Sequence, residues 1–258
     1  MSAELGASGG RIARWLGLVP LALLAVPFAG LIWATDWRHF RFAPGDATAI
    51  WVSLGYGVVA LAIVVALGTP LAWWLSRLRS RIHWLVDGLL LMGLLTPPLA
   101  MGLLLATVYG PYGPIGGLLS RTGTLLTNSP AAFVLAQFYA ALPYYVVAAR
   151  AAFSGVPGEL QQIGLTLGRS PTYCFFTLTV PLARLGLAVA VALAWVRILG
   201  EFGVVLIVAY YPRGIPVKLW VNLQEIGLSA VYPLLWIFFL VAIPLPLLVG
   251  LAVRKKVA

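Results

Sequence analysis

Charge is what this chain has least of. Of its 258 residues only 9% are Asp, Glu, Lys or Arg, against about 25% in an ordinary soluble domain, and that scarcity excludes a water-soluble globular protein. Acid is scarcer than base: seven Asp and Glu stand against 17 Lys and Arg. A membrane-embedded enzyme needs His, Asp, Glu or Ser clustered at one depth, and few such groups are present. The single cysteine, Cys174, forbids an intrachain disulfide. The two histidines, His39 and His83, are far apart and predicted on opposite sides of a membrane, so no metal constellation is expected. No Gly-x-x-x-x-Gly-Lys-Ser/Thr loop occurs to cradle ATP phosphates, so the chain is expected to bind no cofactor and any ATP to be hydrolysed elsewhere.

What is present is apolar. Hydrophobic residues make up 62% of the chain, and the mean hydropathy is +0.99. Crossing hydrocarbon takes about 20 mostly apolar residues as helix. Six such runs are predicted, near Trp15–Ala34, Ala49–Leu75, Leu85–Val108, Ala131–Ala152, Leu182–Tyr210 and Val231–Val253. The expected fold class is therefore all-α: one polytopic membrane domain over residues 1–258, because helices satisfy their own backbone groups in lipid. The first run is too long for a secretory h-region and lacks a good cleavage site, so it reads as a retained anchor. The basic residues fall between apolar runs and form no stripe, so the net charge of +10 points to membrane topology and not to nucleic acid. With the N-terminus inside, eleven Lys and Arg lie on the inner side and five outside, so both termini are expected to be cytoplasmic. Trp33, Trp37, Trp73, Trp74, Trp84 and Trp220 fall near predicted lipid interfaces, where aromatic belts are normal.

Three places depart from a plain bundle. Pro97 and Pro98 remove two backbone donors from the third span and should kink or break it, as tolerated membrane prolines or as part of a gate. The next connection repeats Tyr-Gly-Pro and should hold a short helix near Leu118. Arg197 and Glu201 stand four apart in the fifth span and should pair, either to make the helix tolerable in lipid or to set a guanidinium near an anion path. The neighbouring Gly200 and Gly203 indicate close helix packing. Asp87 reads as an interfacial residue at a helix start, and Glu225 as an outer-surface acid that is either solvated or facing a partner.

A further departure is GELQQIGLTLGRSPTYCFFTLTVP, residues 158–181, which reads like soluble protein. Pro157 suits a helix start, Glu159 complements its positive end, and Leu160, Ile163, Gly164 and Leu167 share one face. Gly168 suits a left-handed cap; Ser170 and Pro171 then open a second helix running towards Pro181, before re-entry into the membrane. Periodicity fits either a helix resting on headgroups or one docked in a partner's groove, and the uncharged Gln161, Gln162 and Thr166 lean towards the groove.

At these residues the chain resembles the permeases of ATP-binding cassette importers, which carry Glu-Ala-Ala, three residues, Gly, nine residues and Ile-x-Leu-Pro in a helix that docks on the ATPase. With that glycine on Gly168, Leu178, Val180 and Pro181 fall on Ile, Leu and Pro without a gap. Gln162, Ile163 and Gly164 replace Glu-Ala-Ala, and Glu159, one turn earlier, is the candidate substitute acid. Residues 49–77, 94–105, 112–119 and 195–209, with Leu199-Gly200-Glu201-Phe202-Gly203 the most specific, are similar to the molybdate, tungstate and sulfate branch in the same order. The resemblance covers about residues 49–253. It implies an inner-membrane permease for a tetrahedral oxyanion, molybdate or tungstate foremost and sulfate or thiosulfate as the alternative. It also implies a second copy of the chain, two cassette ATPase subunits holding ATP and Mg, and an external oxyanion-binding protein. The fifth span and Pro97 and Pro98 would line or support path and gate. On composition alone a secondary anion transporter or channel stays open.

Overall fold

The computed structural model describes residues 2–78, 80 and 82–257, with side chains between Gly17 and Arg254. Every regular element among them is helical. In chain order these are α1 (Ser2–Ala34), α2 (Asp46–Arg77), α3 (His83–Leu95), α4 (Pro98–Tyr109), α5 (Pro114–Ser120), α6 (Pro130–Ser154), α7 (Gly158–Thr166), α8 (Pro171–Cys174), a π-helical turn (Phe175–Thr179) and α9 (Val180–Leu199). Then follow α10 (Gly203–Val208), α11 (Ile215–Glu225), α12 (Val231–Ala242) and α13 (Pro244–Val257). Five stretches are long and apolar enough to cross a membrane: Gly17–Ala34, Asp46–Arg77, Pro130–Ser154, Pro171–Leu199 and Leu228–Arg254. The sixth is the pair α3 and α4, bent by 113° at Thr96 and Pro97.

The centre of the bundle is α2, α6 and α9, and small residues explain why. Burial on α2 follows Ala49, Ser53, Gly57, Ala60, Val64, Gly68 and Ala72, one stripe at helical spacing. Ala132, Ala136 and Ala140 on α6, and Ala183, Ala190 and Ala194 on α9, do the same. Lipid tails are as apolar as leucine, so helices in a membrane gain by close van der Waals approach. A methyl on Gly186 would lie 2.4 Å from Ala152 Cβ, which fixes how near α9 comes to α6. By contrast α1 lies on the outside; Phe28 meets Phe239 with ring centroids 5.7 Å apart, and the Trp236 indole N–H donates to Thr35 Oγ1 at 3.0 Å.

The bundle has two ends. At one, Asp46 is sealed at the start of α2, accepting from the Asn222 amide of α11 and from the Ala43 N–H, both at 2.9 Å. The expected short loop helix, α5, is present and precedes the start of α6. At the other, Arg77 Nη2 donates to the Val156 carbonyl at 3.1 Å, beside α7.

The fifth span differs from expectation at both ends. A separate helix towards Pro181 followed by a span at Leu182–Tyr210 is replaced by one continuous helix over Pro171–Leu199. The π turn ends two residues before Pro181, whose ring would clash with the carbonyl four residues back in a regular α-helix. At the far end the helix stops at Leu199, eleven residues before the apolar run does, because Gly200 to Phe202 leave helical geometry.

Candidate functional site

Two structures built from the singled-out residues lie at opposite ends of that continuous helix. The first is the α7 arm. Pro157 is the N-cap of α7 and not a residue of its first turn. Gly168 has φ of +77°, and the C-terminus closes with Arg169 N–H on the Gly164 carbonyl at 3.1 Å and Gly168 N–H on Leu165 at 3.0 Å. These two bonds are the six-to-one and five-to-two pair of a Schellman cap. Ser170 Oγ then accepts from the Tyr173 N–H at 3.2 Å and Pro171 opens α8.

The face shared by Leu160, Ile163, Gly164 and Leu167 is divided in the structure. Among its residues only Gly164 is buried, because α7 meets α8 there: a methyl on Gly164 would lie 2.6 Å from Cys174 Sγ. Leu160, Ile163, Leu165 and Leu167 are all exposed, as are Glu159 and Gln162. The arm is thus fixed through one glycine and presents leucine and isoleucine outwards. Pro181, also exposed, stands a π turn beyond.

The second structure is a break in the membrane. Where α9 ends, Gly200 is exposed and Glu201 is 2% exposed. Glu201 Oε1 accepts from the Val204 N–H at 2.7 Å and so serves the start of α10. Its Oε2 pairs by charge with Arg197, without the alignment of a hydrogen bond. The expected pair therefore forms, although Glu201 stands beyond the helix end and not on its face. Arg197 also lies over the Tyr144 ring, 5.5 Å from the centroid. The Ile198 carbonyl, which lost its helical partner, accepts from Gln137 Nε2 and from the Glu201 N–H, each at 3.3 Å.

The bend between α3 and α4 meets this break. A methyl on Gly203 would lie 2.7 Å from Pro98 Cβ and 2.9 Å from the Leu99 nitrogen, and one on Gly102 would lie 2.9 Å from Ile207 Cβ. Thr96 closes α3 at the bend, donating to the Met92 carbonyl from its backbone N–H at 3.0 Å and from Oγ1 at 2.6 Å. Pro98 and Gly203 are thereby brought together, with Pro97 next to the one in the chain, and Gly200 and Glu201, the partner of Arg197, just before the other. Ile198 packs on Gly57, about 7 Å along from the middle of α2 at 1.5 Å per residue, so two interrupted helices converge near mid-membrane. Irregular backbone at such depth occurs where protein buries it or a wet cavity flanks it.

Several participants were not singled out from sequence. Gln137 is a lone polar residue inside an apolar run, which is itself a signal. Asp87, expected as an interfacial residue, ties α3 to α6: it pairs with Arg150 and with His83 Nδ1 at 2.8 Å, while Arg150 Nη2 donates to His83 Nε2 at 2.6 Å. Gly102 and Tyr144 carry no local signature.

A scan against protein-family models gives no match. Among solved structures, an amino acid ABC transporter shares the fold, with a TM-score of 0.58 at 15% identity over 82% of this chain and 94% of that one. A probable molybdenum ABC transporter permease of Haloferax volcanii is 38% identical over 202 residues, 78% of this chain and 74% of its own. The molybdenum transport system permease of Azotobacter vinelandii is 35% identical over 164 residues, 63% of this chain and 73% of its own. At such identity over most of both lengths, this integral, multi-pass chain belongs to the molybdenum ABC transporter permease family.

Proposed function

We propose that the chain is the membrane permease of an ATP-driven importer of molybdate, and of tungstate as a dianion of the same shape and charge. Two copies would work with two cassette ATPase subunits, which hold ATP and Mg, and with an external oxyanion-binding protein. The observation that carries this reading is the joining of the two structures by one helix. The α7 arm offers exposed apolar side chains for an ATPase groove and grips α8 at Gly164 and Cys174. From there Pro171–Leu199 runs unbroken to the mid-membrane break, a rod of about 43 Å. A push on α7 therefore arrives where Gly203 rests on Pro98.

The Arg197 and Glu201 pair suits the cargo. A lone guanidinium at this depth would hold a dianion firmly; the neighbouring carboxylate cancels its net charge, and an ion can leave as well as arrive. Glu159, Gln162, Ile163, Gly164, Gly168 and Pro181 are the coupling residues in this reading. The excess of basic residues on the α7 side supports a cytoplasmic α7 and cytoplasmic termini in an inner membrane.

The test is uptake by vesicles holding the permease with its ATPase and binding protein. Labelled molybdate should enter only with ATP, tungstate should compete, and excess sulfate should not. Uptake without the ATPase would sink the importer reading and favour a secondary transporter or channel.

A further inference from the structure

Ala66, Thr69, Pro70, Trp73, Ser76 and Arg77 follow one face of α2 at helical spacing, and that face borders two successive depressions, the first apolar and the second polar. The first is a groove of about 810 Å³ between α2 and the long helix, with Phe175, Phe176, Val180 and Leu187 on its far wall. It follows α2 from Val65 to Trp73, about 12 Å. Two hydroxyls in its wall satisfy each other: Thr69 Oγ1 donates to the Val65 carbonyl and, its proton so used, accepts from the Tyr145 hydroxyl, both at 2.6 Å. Ala66, Pro70 and Phe176 are exposed, so the groove opens sideways onto the membrane.

One turn beyond Trp73 the lining becomes polar. A recess of about 500 Å³ lies between the end of α2 and α7, bordered by Ser76, Arg77, Gln161 and Gln162. At 3.6 residues per turn, Gly158, Gln161, Gln162 and Leu165 stand on the side of α7 opposite Leu160, Ile163 and Leu167. The recess is therefore distinct from the apolar face offered to an ATPase. Arg77 gives Nη2 to the Val156 carbonyl but has no ion-pair partner among the described residues. A methyl on Gly158 would lie 3.0 Å from its Nη1, and the positive start of α7 there adds to the guanidinium charge instead of offsetting it. Glu159, the acid of that turn, is exposed and does not line the recess. Trp73 Nε1 and Arg77 Nε, one turn apart, are also buried donors without an acceptor among the described residues, and such donors are rare in a folded protein.

We propose that this face holds one anionic phospholipid of the leaflet that borders α7. Its acyl chain lies in the groove, its glycerol esters come level with Trp73, and its phosphodiester enters the recess at Arg77. The match is one of length and of chemistry. The hydrocarbon of one leaflet is about 15 Å deep, close to the length of the groove, and indoles and guanidiniums gather where acyl chains give way to head groups. A small turn of Trp73 or Arg77 towards the lipid gives each orphaned donor an ester or phosphate oxygen, and a phosphodiester compensates the unpaired guanidinium. The lipid touches α2 on one side and α7 and the long helix on the other, so movement of the arm against α2 must carry the lipid or release it. The site belongs to the chain as an integral membrane protein, whatever its cargo.

The experiment places the complete complex in vesicles containing phosphatidylglycerol with a photoactivatable diazirine on one acyl chain. Peptide mapping should put the cross-links on the groove, Ala66 and Phe176 among them. Ala66→Trp fills the groove from an exposed position and should abolish that labelling. Arg77→Gln should cut it about tenfold, the loss of one charge-assisted contact; if that variant does not fold, Ala66→Trp decides alone. Labelling spread evenly over the lipid-facing helices and unchanged by the substitutions overturns the site. Inorganic phosphate that displaces the probe assigns the recess to a free anion, and a disulfide from Ala66→Cys to a second permease assigns the groove to a subunit contact; either result overturns the lipid. ATP-driven molybdate uptake by the same vesicles reports on the permease reading separately: groove labelling that persists where uptake is absent upholds the lipid site and sinks that reading alone.

Discussion

The frame of α2, α6 and α9 and the junction of α4 with α10 are both held by small residues, yet they are built for different ends. In the frame, helices of 32, 25 and 20 residues satisfy their backbones internally and approach one another through side-chain atoms, as the Tyr145 ring lies against Gly68. At the junction, helices of 12 and six residues meet glycine against backbone, Gly203 on Leu99 N and Gly102 on Val204 Cα. Their loose backbone groups are served by side chains: Gln137 for Ile198 and Glu201 for Val204. Close packing alone therefore does not make a helix pair rigid. A segment that takes hydrogen-bond partners from side chains can exchange them, whereas one that supplies its own cannot.

Three substitutions bear on that difference. The largest effect belongs to the frame: Gly186→Val puts a branched side chain where even one methyl lies 2.4 Å from Ala152, and should cost about 3 kcal/mol or more. Folded yield and thermal unfolding in detergent should both collapse. Gly203→Ala meets Pro98 at 2.7 Å but can push α4 aside, so about 2 kcal/mol is expected. That protein should fold while uptake is lost. If it unfolds as badly as Gly186→Val, the junction is as rigid as the frame. The smallest belongs to Gln137→Leu. It deprives the Ile198 carbonyl of one donor but also removes Oε1, which is buried without a partner; a net loss of about 1 kcal/mol follows. Scanning calorimetry of the assembled complex reads it, and no change would mean that the Glu201 N–H alone satisfies Ile198.

What the sequence made legible was local. Gly168, Ser170 and Pro171 obey rules that reach no further than one turn, and the structure has them as expected. Five spans could be read from hydropathy because length and apolarity are properties of a segment. Hydropathy missed the end of α9, since Leu199 to Tyr210 stays apolar while the backbone leaves the helix at Gly200. Pro97 and Pro98 announced a break; its 113° depends on Gly203 and Gly102, a hundred residues and a few residues away respectively, and on docking that no window sees. The same holds for Arg150, which counts as a boundary charge in sequence and in space anchors α3 through Asp87 and His83.

The position of Gly186 sets a mechanical ratio. There the long helix lies against α6 too closely to admit a methyl, and the position divides Pro171–Leu199 into arms of about 22 Å and 20 Å. A rod resting there behaves as a seesaw with almost equal sides. A displacement of about 4 Å at Pro171 reaches Leu199 as about 3.5 Å in the opposite sense, so the fold exchanges force for travel at close to one to one.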